Sequence, residues 1–279
     1  MKNNKWELKR IIFYLGISLC IGIFIFSIFN IGKYMVASAE NKNTNKEIQE
    51  TFYQHKEPIA HETKEEIILE TNQAEEDSLV TREEKDESTV AYKEISQHFE
   101  PLLEINEETV GWIKIDNTVI DYPVVQAKDN DYYLDHNFQK EKSSAGALFL
   151  DYRNSIDDLD QNTIIYGHHM KDGSMFKGLV KYRNPDFYKA NRTITFETLY
   201  REMKWEIFAV YITDTDFNYI NPNFKDGDEF QGFLQKVEEK SQYELDTSIE
   251  YDDKILTLST CDYDFDDARL VVQAKLIAE

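Results

Sequence analysis

The apolar positions divide this chain into three textures. Residues 11–29 carry no charge at all. At ~1.5 Å of rise per residue, a helix of that length matches a hydrocarbon layer of roughly 30 Å, so the run can span a membrane. From about residue 40 to 87 the chain is rich in Glu, Lys, Asn, Gln and Thr and contains no Gly. Such a segment buries too little apolar surface to offset the entropy of ordering, which predicts an extended or partly helical stalk with Ile67, Ile68 and Leu69 as its main apolar cluster. From Ser88 onward apolar residues return in short runs.

Those runs have two periods. Tyr92, Ile95, Phe99 and Leu102 or Leu103 recur every three to four residues, predicting an amphipathic helix that Pro101 breaks near its end. Short β-rich runs then predict strands near 110–115, 118–125, 147–150, 163–166, 193–197, 204–212, 254–260 and 269–277, with Asp116-Asn117 as a hairpin turn between the first two. Eight short strands with few helices suggest a closed or nearly closed β-barrel, although the strand count also fits a sandwich. Helical spacing returns at 174–182, through Met175, Phe176, Leu179 and Val180. It returns again at 227–242, through Phe230, Phe233, Leu234 and Val237.

Four segments follow. Residues 1–10 are a basic tail whose Lys2, Lys5, Lys9 and Arg10 favour a cytoplasmic N-terminus. Residues 11–29 are a transmembrane signal anchor, 30–87 a polar, partly disordered stalk, and 88–279 a folded domain outside the cytoplasm. Ala37-Ser38-Ala39 has the small-x-small form of a cleavage site, so a cleaved signal peptide is the competing reading. The apolar run is longer than a usual signal core and stands well before that site, which favours the uncleaved anchor. Both readings export the domain.

Composition narrows the function. With 279 residues, 41% hydrophobic and 13% aromatic, the chain can build a sizeable core. A formal net charge of -22 argues against nucleic acid as a partner, because no basic patch offsets repulsion from phosphate. Only Cys20 and Cys261 are present. A disulfide between them would have to join the membrane run to the folded domain, which disulfide geometry disfavours. Cys261 is therefore read as a lone thiol.

That thiol ends an apolar, β-branched run, Ile255-Leu256-Thr257-Leu258-Ser259-Thr260-Cys261, and Arg269 opens the next apolar run eight positions later. Two neighbouring strands joined by a turn would bring them to one rim. A thiolate nucleophile needs a base, and the oxyanion formed by its attack on a carbonyl needs fixed positive charge or donors. A base stands in Ile164-Ile165-Tyr166-Gly167-His168-His169, another β-rich run that ends at Gly. Together, the Gly-His, Thr-Leu-Ser-Thr-Cys and Arg elements, in this order, resemble the sortase family of cysteine transpeptidases. The Tyr-Gly-His-His form looks like class B.

The resemblance covers roughly the last two thirds of the chain, including Val110-Gly111-Trp112-Ile113 and Phe149-Leu150-Asp151-Tyr152-Arg153. It implies a mainly β fold, an eight-stranded sortase-type barrel with an N-terminal helix packed on it and a helix before the Cys strand, beside the substrate groove. That second helix reads either as a wall for the substrate or as a plain surface helix. The implied catalytic residues are His168, Cys261 and Arg269. Leu258 and Thr260, with Ser259 at the variable position between them, are the substrate-binding candidates. The implied partners are surface proteins bearing a C-terminal sorting signal, cleaved after Thr through a thioacyl intermediate, and an amine of a cell-wall precursor that accepts the acyl group. The implied location is the cell membrane, crossed once, with the catalytic domain outside. No cofactor is called for.

The remaining polar residues admit other roles. His169 would point away from His168 in extended backbone. His98 and His136 have no motif around them, and His55 and His61 flank Pro58 without further ligands, so no metal is expected. Asp262, Asp264 and Asp266 mimic the start of a calcium loop, but Asp267 stands where Gly is required and Gln273 where Glu is. Asp214, Asp216 and Asn218 fail likewise at Lys225. Arg269 could instead pair with Asp266 or Asp267. Two other functions use the same residues: a cysteine hydrolase with water as acceptor, and a membrane-tethered binding module without catalysis.

Overall fold

In the computed structural model, residues 3–56, 93–262, 264 and 267–278 are described. The eight expected strands all form: β1 Thr109–Lys114, β2 Asp121–Val125, β3 Leu148–Leu150, β4 Asn162–Tyr166, β5 Thr193–Thr198, β6 Glu202–Thr213, β7 Ile255–Cys261 and β8 Arg269–Ala278. They close into one barrel in the order β1-β2-β3-β4-β7-β8-β6-β5, which decides against a sandwich. Strand pairs β2–β3 and β4–β7 are parallel; the other neighbours are antiparallel. The β1–β2 connection turns at Asp116-Asn117, where Asn117 takes a positive φ of 60° that Asn tolerates better than most residues.

Strand pleating sorts the side chains. Ile113, Leu150, Ile165, Phe196, Trp205, Leu256, Leu258 and Val272 fill the barrel interior. Phe208, Tyr211, Ile255 and Val271 point outward, yet are buried beneath α4, Gly227–Lys240, through Phe230, Phe233 and Val237. Strands β6 and β7 are thus covered on both faces, which explains why they read as continuous apolar runs. Helix α4 is capped by Asp226, whose side chain accepts from the Glu229 amide at 3.0 Å.

The N-terminal part adds a contact that the sequence does not announce. Helix α1 runs unbroken over Asn3–His55, through the apolar run and into the first part of the segment read as an extended or partly helical stalk. Its stretch from Phe13 is long and apolar enough to cross a membrane, with Leu15, Leu19 and Phe26 exposed. Its polar half is docked on the barrel. Phe52 is 1% exposed and stacks on Trp112 with ring centroids 4.1 Å apart, and Ile48 is buried beside it. Lys56 pairs with Glu197 at 2.5 Å and Glu202 at 2.8 Å, and Gln49 donates to Asp121 at 2.7 Å. Two large apolar residues on one face, with polar partners at its edges, anchor a segment whose composition reads as solvated. The Ile67 cluster and His61 lie outside the described residues.

The helix expected over residues 92–103 is shorter and differently placed. A 3-10 turn, Gln97–Phe99, leads into α2, Glu100–Ile105. Pro101 therefore sits in the first helical turn, where its missing N–H costs nothing, and does not break the end. The insertion expected at 174–182 is 3-10 in form, Phe176–Arg183. It is followed by α3, Pro185–Ala190, an unforeseen helix capped by Asn184, whose side chain accepts from the amides of Asp186 and Phe187.

Candidate active site

Parallel pairing of β4 with β7 aligns Tyr166 with Ser259, so the two strands leave the barrel at the same rim. Two positions on, β4 delivers His168 and β7 delivers Cys261. Antiparallel pairing of β7 with β8 then sets Cys261 opposite Arg269. The three residues expected to carry the chemistry thus converge from segments far apart in the chain, and all three line one open cleft of about 260 Å³. Cys261 is exposed although the six residues before it on β7 are buried.

Each side chain has a local support. At Gly167 a Cβ would fall 2.3 Å from Leu148 Cδ2 and 2.8 Å from Phe176, so only glycine lets the chain turn there against the core. His168 Nε2 lies 2.6 Å from the Leu134 carbonyl oxygen. A carbonyl only accepts, so Nε2 carries a proton, and the neutral ring keeps its lone pair on Nδ1. Arg269 Nη1 donates to the carbonyl oxygens of Asp267 at 3.0 Å and Ala268 at 3.1 Å, contacts that tether the guanidinium without neutralising it. Of its two suggested carboxylate partners, Asp266 lies outside the described residues.

His169 turns the other way, as extended backbone requires. It is buried, with Nδ1 2.9 Å from the Cys261 carbonyl oxygen and Nε2 2.7 Å from Lys177 Nζ. Burial lowers its pKa below the usual histidine value, aided by Lys177 and opposed by the Cys261 carbonyl. A neutral ring donating to that carbonyl and accepting from Lys177 satisfies both contacts. His136 stacks on Tyr132 and His98 lies 2.7 Å from Glu197, structural roles that match their lack of a motif. Asp264 of the acidic loop is paired with Arg183 at 2.8 Å.

The groove candidates separate. Ser259 and Thr260 line the cleft, and Ser259 Oγ is 2.9 Å from the Tyr219 hydroxyl. Leu258 does not line it: 0% exposed, its side chain is packed inside the barrel, because alternation along β7 turns it inward below the rim, whereas Thr260, two residues on, stands at the rim itself. Nor does α4 form a wall. It packs on the outer barrel face, and the loop before it, residues 214–226, supplies Tyr219 instead. Asn130, Leu134, Phe149 and Tyr166 complete the lining. The sequence marks none of these as functional, although Tyr166 sits inside the Gly-His signature and Leu134 beside two tyrosines.

Comparison with known proteins identifies the family. The family model described as Sortase domain matches residues 113–277. Sortase B of Listeria monocytogenes is 47% identical over 188 residues, covering 67% of this chain and 76% of that protein. Sortase B of Staphylococcus aureus is 39% identical over 185 residues, covering 66% and 76%. A crystal structure of sortase B from B. anthracis in complex with AAEK1 superposes with a TM-score of 0.69 at 39% identity, covering 88% of this chain and 100% of that one. A Staphylococcus aureus sortase B–substrate complex gives 0.69 at 30% identity, covering 87% and 99%. These relatives set aside the non-catalytic binding module. Sequence, barrel and rim together place the chain in the sortase family, in its class B, as a cysteine transpeptidase of cell-wall anchoring.

Proposed function

We propose that Cys261, His168 and Arg269 cleave a C-terminal sorting signal after Thr and pass the protein to an amine of a cell-wall precursor. The observation that carries this reading is the register at the rim, where parallel β4 and β7 bring His168 and Cys261 out together and β8 sets Arg269 opposite the thiol.

The peptide lies in the cleft. Cys261 Sγ attacks the Thr carbonyl carbon while its proton passes to His168 Nδ1, the nitrogen that bears the lone pair. Arg269 and backbone N–H groups near Cys261 hold the developing oxyanion. As the peptide C–N bond breaks, His168 returns the proton to the leaving amine, and a thioester to Cys261 remains. The acceptor amine then attacks that thioester, gives a proton to His168 and releases the thiolate. One amide replaces another, so the exchange is close to balanced in bond energy and calls for no cofactor.

Class B resemblance favours signals of the Asn-Pro-Xaa-Thr type. Helix α1 supports a single-pass anchor at the cell membrane that keeps the cleft near both the exported signal and a lipid-linked acceptor. The test is turnover of such peptides by the wild-type enzyme, with and without an added amine. Amine-dependent ligation is expected, and it should vanish in Cys261→Ala; retained cleavage by that variant refutes the assignment. Cleavage indifferent to amines would make the enzyme a hydrolase.

A further inference from the structure

Asp151 directly follows β3, and no step above uses it, yet its side chain is 0% exposed. Its Oδ2 accepts from Asn130 Nδ2 at 3.0 Å, from the Tyr166 hydroxyl at 2.8 Å and from Arg153 Nη2 at 2.7 Å. Its Oδ1 accepts from Arg153 Nε at 2.8 Å and from the Arg153 amide at 3.0 Å. Burial opposes ionisation, but these donors outweigh it and hold the carboxyl below the ordinary carboxylate range.

The partners share a location. Asn130 comes from the loop after β2 and Tyr166 from the end of β4, and both line the cleft beside Cys261. A third arm runs through Arg153, whose Nη2 also donates to the Ile220 carbonyl at 2.9 Å. Its neighbour Tyr219 lines the same cleft and contacts Ser259. One carboxylate therefore joins three wall segments that no strand ladder connects. The turn at 151–154 has its own fastenings. Gln126 Nε2 donates to the carbonyls of Asp151 and Asn154, and Asn154 Oδ1 accepts from the Ile164 amide. The turn therefore does not rest on the carboxylate alone, and the bonds to Asn130, Tyr166 and Arg153 Nη2 tie it to the walls.

We infer that Asp151 is a positioning residue for substrate binding, holding Asn130, Tyr166 and, through Arg153, Tyr219 where they receive the acyl-donor peptide. This rests on the peptide-substrate reading above. Because it acts on the walls and not on the thiol, its loss should appear in KM.

The test compares Asp151→Asn with wild type using Asn-Pro-Xaa-Thr peptides, alongside iodoacetamide labelling of Cys261 and amide hydrogen exchange. Losing hydrogen bonds to a charged group predicts a KM rise of about tenfold or more, with kcat within about threefold and labelling unchanged. Exchange should quicken around residues 130 and 219–220. Tyr166→Phe removes one arm without stranding a charge, so it keeps the test decisive if Asp151→Asn does not fold; a smaller KM rise of the same kind is expected. An unchanged KM in the folded variants, or a fall in kcat and labelling at constant KM, overturns the inference. If wild type cleaves no such peptide, the substrate reading fails on its own, and exchange still decides: unchanged rates in Asp151→Asn, or in Tyr166→Phe around residue 130, overturn the brace.

Discussion

His168 Nε2 is held on the carbonyl oxygen of Leu134 at 2.6 Å, and what places that carbonyl is a glycine twelve residues along, Gly146. Gly146 has φ +58°, and a Cβ there would fall 2.3 Å from the Tyr133 carbonyl oxygen, 3.0 Å from that of Leu134 and 3.2 Å from His168 Cδ2. Alanine at 146 must push the 133–134 backbone away and carry the imidazole's partner with it. Small misplacements of a proton-transfer group are costly, so Gly146→Ala should lower kcat by about tenfold to a hundredfold. Steady-state kinetics on a variant that still melts cooperatively checks this; a wild-type kcat would show that the Leu134 contact does not orient His168.

Arg269 faces Cys261 across the β7–β8 ladder, and among the described residues its guanidinium donates to two carbonyl oxygens, which do not neutralise its charge. If that charge stabilises an oxyanion, Arg269→Ala should cost about a hundredfold to a thousandfold in kcat, the usual scale for losing one oxyanion donor. Arg269→Lys should rescue little, since an ammonium cannot reproduce the guanidinium fork. Full rescue by lysine would mean that only net charge at the rim matters.

The docked half of α1 turns on Phe52. Its ring lies parallel to Trp112, 4.1 Å away, within a cluster that includes Phe99, Leu102 and Phe149. Truncating a buried phenylalanine typically costs about 3–5 kcal/mol. Phe52→Ala in a soluble protein beginning at Ala37 should therefore release the helix, exposing residues near 40–56 to protease and lowering the unfolding midpoint. Unchanged proteolysis would show that the ion pairs of Lys56 suffice to hold the helix.

The same residue marks the limit of what the sequence discloses. All eight strands were legible because apolar runs bounded by turn residues are a local signal, and His168, Cys261 and Arg269 were legible because each ends or opens such a run. Ile48 and Phe52 were not, because two apolar residues among lysines and glutamates carry meaning only once Trp112 offers a surface to receive them. Leu258 was misplaced for the opposite reason. A signature names neighbours along a strand, while pleat and depth decide what each one meets: Leu258 faces inward below the rim, and Ser259 and Thr260 reach the cleft at its edge. Tyr219 and Asn130 reach the cleft from irregular loops, which have no period to read.

His169 supplies a pH-dependent contribution whose sign follows from its surroundings. Burial depresses its pKa below that of an unfolded histidine, about 6.5, and outweighs the opposing pull of the Cys261 carbonyl, with Lys177 adding to the depression and Asp262 opposing it. The unfolded chain therefore takes up a proton at this position more readily than the folded one. The stabilising contribution is complete above the unfolded pKa and is lost as pH falls through the folded value. Protonation would also set a cationic ring 2.7 Å from the Lys177 ammonium and remove the acceptor that ammonium uses. Melting temperatures of wild type should drop between about pH 7 and 5 more steeply than those of His169→Gln, which offers an amide that does not titrate. Parallel pH profiles for the two proteins would show that His169 is protonated equally in both states and that the link between Lys177 and the Cys261 carbonyl does not depend on a neutral ring.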